Sequence, residues 1–333
     1  MNFKQGVFVF LACVVSYTLF FFKSSAYPFN SMDSYFFLNF VHGITSSIPA
    51  TPPLSMWLFS ILPSNILILK LITFAVFFIT MLIFCKTAEN YSKKLWWLCL
   101  VLFLSSIMFM QVFYTLEDDL FAFPFIALSF YFISKHHQHP NTKWIIFSIL
   151  ALAVACGFWK FSIYFVFLFL FWTRFNKYYI ILSILLLPFI TYWINSFIPS
   201  FAVIENTPGI ALYGLFTGCM FLLFFKKINK DVRVFMPTIW FATIIMILNT
   251  KFLFLAVPVF ILVFIQTYEK LSIPLKLIVV LSIVALFIAG LLTNLSSIPN
   301  KHTSELFEVA QANAIGNEIN CSWDFGYFYQ WYF

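Results

Sequence analysis

The chain has little charge and little glycine. Charged residues make up 9% of its 333 positions, and only 9 residues are glycine. A typical soluble domain is about 25% charged and roughly 45–50% apolar, whereas 62% of this chain is hydrophobic. This composition excludes a water-soluble globular protein and predicts one whose solvent is the lipid bilayer. The scarcity of glycine argues against a bundle held together by small-residue contacts throughout.

Cysteine and basic runs are also sparse, and their placement excludes further classes. Of six cysteines, only Cys321 lies clearly outside the apolar runs. This pattern predicts neither a disulfide framework nor a zinc site. No basic run is interleaved with aromatic residues, so the net charge of +7 indicates basic cytoplasmic loops and no nucleic-acid partner.

What the chain has instead is a series of long apolar runs. A helix needs about 20 apolar residues to cross a bilayer, with a range of roughly 17–25. We predict an all-α, polytopic membrane domain over residues 1–293 with about eleven transmembrane helices, followed by a short tail over 294–333. The predicted spans lie near 6–22, 65–85, 95–113, 120–134, 144–158, 161–173, 178–195, 209–225, 234–249, 252–268 and 277–293.

The basic residues predict the orientation. Fourteen of the 19 Lys and Arg residues fall in segments that are inside if the N-terminus is cytoplasmic, and four fall in outer segments. By the positive-inside rule we expect a cytoplasmic N-terminus and, with an odd number of spans, a C-terminal tail on the non-cytoplasmic side. Lys70 lies within a span near its outer end, where we expect its side chain to snorkel to the interface.

The acidic residues divide in the opposite sense. Nine of the twelve fall in predicted outer segments. Acidic residues contribute little to topology, so this asymmetry points to a role. Three features carry it: Asp33 after the first span, Glu117-Asp118-Asp119 between the third and fourth spans, and Glu205 in the outer segment before Pro208.

The cluster Glu117-Asp118-Asp119 has two interpretations. Three adjacent carboxylates at a membrane edge repel one another, and a hard divalent cation such as Mg²⁺ or Mn²⁺ would offset that repulsion. Alternatively, the cluster is a solvated turn that begins the next helix, with Asp119 as the N-cap residue. Asp33 and Glu205 taken singly are also compatible with ordinary solvated charge.

Two basic residues in the predicted outer segments also have two interpretations. Lys160 follows Trp159 between two apolar runs, and Lys251 follows Thr250 at a predicted hairpin tip. Each can bind an anionic headgroup or a diphosphate at the interface, or simply snorkel to the membrane surface. His136, His137 and His139 lack a nearby acidic partner in the sequence, and we expect them in a solvated inner loop.

A motif in the tail resembles that of one enzyme family. The tail contains the run Cys321-Ser322-Trp323-Asp324-Phe325-Gly326. It resembles the Trp-Trp-Asp-Tyr-Gly motif of the catalytic subunit of oligosaccharyltransferase, a family within the GT-C superfamily of membrane glycosyltransferases. Here Ser322 stands in the place of the first Trp and Phe325 in the place of the Tyr.

The acidic features follow the order in which that family carries its own. Asp33 is similar to the catalytic Asp of the family's first outer loop. Glu117 and Asp119 are similar to the acidic pair of its second outer loop, and Glu205, in Glu205-Asn206-Thr207-Pro208, is similar to the Glu of its mobile external loop. Among the basic residues, Lys251 stands where the family usually has Arg.

The resemblance implies a GT-C-like catalytic domain that binds a polyprenyl-linked sugar donor. By resemblance, Asp33, Glu117 and Asp119 hold Mn²⁺ or Mg²⁺, which neutralises the diphosphate leaving group. Lys251 is the implied phosphate-binding residue. Lys160, similar to a basic residue common in GT-C enzymes, is a second one.

The resemblance also implies the acceptor and its binding site. The expected reaction is inverting transfer of a glycan to the Asn of an Asn-x-Ser/Thr segment in a protein or peptide on the outer face. Asp33, Asp119 and Glu205 are the implied catalytic residues, and Glu205 also orients the acceptor. Trp323 and Asp324 bind the acceptor side chain.

Three alternatives stay open. Another GT-C transferase moves a single sugar from a polyprenyl phosphate to lipid or protein and does not need the pair Trp323-Asp324. A transporter or flippase predicts polar residues deep within several spans. A non-catalytic scaffold subunit transfers no glycan.

Overall fold

The computed structural model describes a little over half of the chain, and its elements there are all helices. The described residues are 2–23, 52–106, 110, 112–113, 116–159, 162–194, 253–268, 273–274, 276–277 and 280–281. Within them the helices are α1 (Phe3–Lys23), α2 (Pro53–Ile61), α3 (Ile66–Tyr91), α4 (Trp96–Ser105), α5 (Asp118–Gln138), α6 (Thr142–Phe158), α7 (Ile163–Trp172), α8 (Lys177–Ile194) and α9 (Leu253–Tyr268).

Eight of these nine helices fall on apolar runs that were predicted as spans, which confirms the all-helical prediction for this part of the chain. One described helix is long and apolar enough to cross a membrane, over Leu67–Tyr91. The predicted spans 209–225 and 234–249 and the predicted tail 294–333 lie outside the described residues.

Helix α2 was not predicted. It begins at Pro53 and runs to Ile61, with Pro52 as an extended N-cap residue. Proline is well tolerated at the first helical position, because its missing N–H has no partner there in any helix and its φ is already helical. Helix α2 is short because Pro63 follows Leu62, and proline disfavours a helical backbone at the residue before it.

Aromatic side chains hold the helices together. Phe130 of α5 packs edge-on against Phe169 and Trp172 of α7, with ring centroids 4.6 and 5.6 Å apart. Phe84 of α3 contacts Phe103 of α4 at 4.5 Å. Such aromatic pairs contribute about 0.5–1.5 kcal/mol each beyond the area that they bury.

Polar contacts between helices establish the helix directions. The Asn90 side-chain amide near the end of α3 donates to Ser134 Oγ near the end of α5, at 2.8 Å. In α6, by contrast, Ser148 lies in the first half and donates to the backbone oxygen of Ser129 in α5 at 3.1 Å. Helices α3 and α5 therefore run in the same direction and α6 in the opposite one.

Helix α7 runs with α5, since the backbone of its last residue, Trp172, is hydrogen-bonded to His137 in the last turn of α5. The bundle accordingly has two chemically different ends. At what we call the basic end, α3, α5 and α7 finish while α6 and α8 begin. At the opposite end, the acidic end, α5 and α7 begin and α6 finishes. The described basic residues at the basic end include Lys86, Lys93, Lys94, Lys135, Lys143, Arg174 and Lys177.

Candidate functional site

The three acidic residues of the predicted cluster form the start of α5. Glu117 is the N-cap residue, with an extended backbone (φ −127°, ψ 169°) and no side-chain capping hydrogen bond, and Asp118 and Asp119 lie in the first helical turn. Two carboxylates at this position are stabilised by the positive end of the helix dipole, by roughly 0.3–1 kcal/mol each when exposed. The prediction that Asp119 caps the helix was wrong, because the helix begins before it.

Asp119 differs from its neighbours in burial. Its side chain is 8% exposed, and the flanking Leu116 and Leu120 are fully buried, while Glu117 and Asp118 are half-buried. An ionised carboxylate in apolar surroundings is unfavourable unless positive charge or hydrogen-bond donors compensate it. The site thus contains one enclosed carboxylate and two more accessible ones.

Helix α2 closes this end of the bundle. Ser55 Oγ donates to the backbone oxygen of Phe158 at the end of α6, at 2.5 Å. Phe59 packs edge-on against Phe121 in the first turns of α5, with centroids 5.7 Å apart. Through these two contacts α2 bridges the end of α6 and the start of α5. It thereby helps to hold the acidic turn in place.

The contact between α2 and α6 depends on a glycine. A Cβ atom at Gly157 would lie only 2.5 Å from Leu54 Cδ1, so α2 approaches α6 as closely as it does because Gly157 has no side chain. Sequence reasoning missed both α2 and this contact. The available signals were proline at a helix start and one of the few glycines of the chain in an apolar run.

The neighbours of the site are aromatic. Phe121 and Phe125 of α5 both approach Phe158, with centroids 6.4 and 5.6 Å away, and Phe123 stacks on Trp159 at 6.3 Å. Trp159 is buried and ends α6, and Ser162 donates its hydroxyl to the backbone oxygen of Ala155. The start of α5 and the end of α6 therefore form one packed unit at the acidic end.

Only part of the predicted site lies on residues that the structure describes. Glu117 and Asp119 are adjacent at the start of α5, as their spacing requires. The remaining predicted residues lie outside the described ranges: Asp33, Lys160, Glu205, Lys251, Trp323 and Asp324.

The structure describes two of the three predicted metal ligands. Glu117 and Asp119 provide carboxylate oxygens, the donors that Mg²⁺ and Mn²⁺ prefer. Within the described segments, no three His, Cys, Asp or Glu side chains come together as a metal-ligand group. The third predicted ligand, Asp33, is outside those segments, so the three-carboxylate set stays a prediction.

The predicted inner histidines lie at the basic end. His136 and His137 belong to the last turn of α5, not to a loop. His136 Nδ1 is 3.1 Å from the backbone oxygen of Asn141, and the Tyr91 hydroxyl is 3.3 Å from His137 Nδ1. These rings therefore join α5 to its neighbours at the end opposite the acidic turn.

Comparison with known proteins identifies no relative. No protein-family model, curated protein or solved structure matches the chain. What the chain does is therefore argued from its own residues and from the order of its motifs.

Proposed function

We propose that this chain is a multi-pass membrane glycosyltransferase of the GT-C type, which transfers a glycan from a polyprenyl diphosphate to a protein acceptor on the non-cytoplasmic face. The observation that carries the proposal is the acidic turn. Glu117, Asp118 and the buried Asp119 lie at the end of the bundle opposite the basic residues. A polyprenyl-linked donor presents its phosphates at a membrane surface, and this turn would lie at that surface.

Helix lengths support a membrane setting. Helix α3 has 26 residues, which at about 1.5 Å per residue exceeds the roughly 30 Å of a bilayer core. Helices α1 and α5 have 21 residues each, within the range of about 17–25 that suits a crossing. Under the positive-inside rule the basic end is cytoplasmic, and the acidic turn then faces the other side.

The proposed chemistry is a single inverting displacement. The acceptor amide nitrogen attacks the anomeric carbon as the bond from that carbon to the phosphate oxygen breaks, and the diphosphate leaves with the electron pair. Asp33 and Glu205 orient the amide and take up its proton. Configuration inverts because no carboxylate forms a covalent intermediate.

The binding roles follow from the same proposal. Glu117 and Asp119, with Asp33, would hold Mn²⁺ or Mg²⁺, which when bound supplies positive charge for the departing diphosphate. Lys251 and Lys160 would add positive charge near the phosphates. The residue that precedes Lys160 in the chain, Trp159, lies at the acidic end. Trp323 and Asp324 bind the acceptor side chain. The low exposure of Asp119 suits its role, because a charge interaction is stronger where water is excluded.

Transfer of glycan from a lipid-linked oligosaccharide to a fluorescent Asn-x-Ser/Thr peptide tests the proposal. The purified full chain should glycosylate the peptide when Mn²⁺ is present and not after chelation. Asp119→Asn keeps the shape of the side chain, removes its charge, and should lower the rate roughly 100-fold or more. Asp118→Asn is the matched control, because Asp118 has no assigned role, and it should retain activity. Equal activity of both variants, or no transfer at all by the intact chain, would overturn the proposal.

The same assay distinguishes the rival functions. Combined Trp323→Ala and Asp324→Ala should abolish peptide glycosylation. Unchanged transfer would instead favour a transferase that moves a single sugar from a polyprenyl phosphate to lipid or protein.

A transporter would need a polar path between helices. Among the described helices, the buried hydroxyls of Thr80 and Thr87 bond to carbonyls of their own helix, whereas those of Ser148 and Tyr179 meet between two helices. Metal-dependent transfer by the purified chain would exclude a scaffold role.

A further inference from the structure

A second surface lies on the hairpin of α5 and α6 at the basic end. Its centre is a row of touching aromatic rings. Phe132 stacks on Trp144 with centroids 6.0 Å apart and an interplanar angle of 19°, and Phe147 lies 5.6 Å from Phe132 and 6.2 Å from Trp144. The row is not fully covered, since Phe147 is 44% exposed and Leu150, nearly one turn further along α6, is 56% exposed. We call this set, Phe132, Trp144, Phe147 and Leu150, the hairpin face.

Two lysines lie at the edge of the hairpin face that is nearest the basic end of the bundle. Lys135 Nζ lies 5.7 Å from the Tyr131 ring centroid, and Lys143 Nζ lies 5.0 Å from that of Trp144. These are cation–π distances, and the rings help to orient the ammonium groups. Neither α6 nor the last turns of α5 carry an acidic residue, and Glu89 of α3, a described acidic residue at this end, is paired with Lys86 at 2.6 Å. The field at this end of the hairpin is therefore positive.

The turn between the two helices holds the lysines in place. The Asn141 backbone N–H donates to His136 Nδ1 at 3.3 Å, and the Asn141 side chain accepts from the Lys143 N–H at 3.0 Å. Asn141 thus caps α6, whose 17 residues direct the positive end of a helix dipole toward the same region as the lysines. Cap, dipole and lysines together form a positively charged rim above an apolar surface.

We propose that the hairpin face binds an anionic glycerophospholipid of the cytoplasmic leaflet. The acyl chains lie along Phe147 and Leu150, and the phosphate lies between Lys135 and Lys143. A lipid fits better than a free phosphate because the exposed apolar rings continue directly below the charges. The inference rests on the membrane setting of the proposed function, but not on glycan transfer, whose site is at the other end of the bundle.

Lipid binding to the purified full chain, followed by native mass spectrometry, tests this inference. The protein is titrated with phosphatidylglycerol or phosphatidylcholine, and the bound lipid is counted. The intact chain should prefer phosphatidylglycerol. The combined Lys135→Gln and Lys143→Gln variant should reduce that preference by roughly 5- to 30-fold, since each lysine near an anionic lipid contributes about 1 kcal/mol, which corresponds to a factor of about five. The Lys135→Arg and Lys143→Arg variant keeps the charge and should keep the preference.

Lys93 and Lys94 provide the matched control. Both are exposed in the turn between α3 and α4 at the same end of the bundle, so Lys93→Gln with Lys94→Gln removes equal charge away from the hairpin. An equal loss in this control would show a diffuse field and overturn the site, as would equal binding of the two lipids by the intact chain. Displacement of the lipid by inorganic phosphate would contradict a lipid-specific site. Absence of binding of either lipid would also overturn the site, while glycan transfer measured on the same preparation reports separately on the acidic end.

Discussion

Single residues differ in how far their chemistry depends on the fold. Asp119 is one acidic residue of twelve in the sequence, but its 8% exposure separates it from Asp118 beside it. The adjacency of these carboxylates was predictable from their spacing. Their unequal burial was not predictable from the sequence, because it depends on which face of the first turn of α5 packs against the rest of the bundle.

Ser148 is a second residue whose role comes from its contacts. Its hydroxyl donates to the backbone oxygen of Ser129 and lies 2.6 Å from the hydroxyl of the fully buried Tyr179. It therefore joins α6 to both α5 and α8. Hydrogen bonds between membrane helices contribute about 0.6 kcal/mol on average and up to about 1.7.

Replacing Ser148 with alanine should destabilise the protein by about 0.5–1.5 kcal/mol, since the Tyr179 hydroxyl loses this partner. Unfolding of the purified chain in a denaturing detergent measures the change. Ser183→Ala is the control: Ser183 is also buried, but its hydroxyl bonds to the Tyr179 backbone oxygen of its own helix, so we expect a smaller effect. A loss for Ser183→Ala as large as that for Ser148→Ala would contradict the interhelical explanation.

At the scale of elements, α2 is the helix that sequence reasoning missed. A nine-residue segment is too short to register as an apolar span, and α2 follows Pro52 and begins at Pro53, a residue type that usually interrupts helices. Its contact with Phe158 joins residues 103 positions apart in the chain, and its contact with Phe121 joins residues about 60 positions apart. Such long-range contacts depend on shape complementarity, which local patterns do not encode.

Enlarging Gly157 should displace α2. Gly157→Leu places side-chain atoms where Leu54 now packs, and overpacking of this kind destabilises a protein by about 1–3 kcal/mol. Thermal unfolding of the purified chain should show a lower midpoint. Adding Leu54→Ala, which makes room, should restore much of the loss.

Gly6 provides a control for this prediction. A Cβ atom there would meet nothing within 4 Å, so Gly6→Leu should leave stability unchanged or raise it slightly, since glycine is a poor helix former. If the two glycine variants behaved alike, the close approach of α2 to α6 would not be the reason for the effect at Gly157.

At the scale of the described bundle, the helix directions put the acidic turn of 117–119 and most of the described lysines at opposite ends. The contact between Asn90 and Ser134 makes α3 and α5 parallel, and the turn containing Lys93 and Lys94 consequently lies at the opposite end from Glu117. The sequence predicts the same division through the positive-inside count, without any knowledge of the helix contacts. Which side of a membrane each end faces stays a prediction.

Labelling of single cysteines tests the proposed orientation. On a background without the six native cysteines, Asp118→Cys should react with a membrane-impermeant maleimide in intact cells, and Lys94→Cys should react only after the membrane is permeabilised. The expected difference follows from the bilayer between the two ends of the bundle. Reaction of both cysteines from the same side would contradict the orientation and, with it, the outward-facing acidic turn.

By itself the sequence determined where most of the described helices lie, because a long apolar run must form a helix to satisfy its backbone in an apolar environment. It also determined that the acidic residues of 117–119 are neighbours, since they are adjacent in the chain. Only the tertiary structure decided that Asp119 is buried, that Glu117 is the N-cap residue and that α2 packs on Gly157. These features depend on how the side chains of distant helices fit together, and neither composition nor the length of an apolar run specifies that fit.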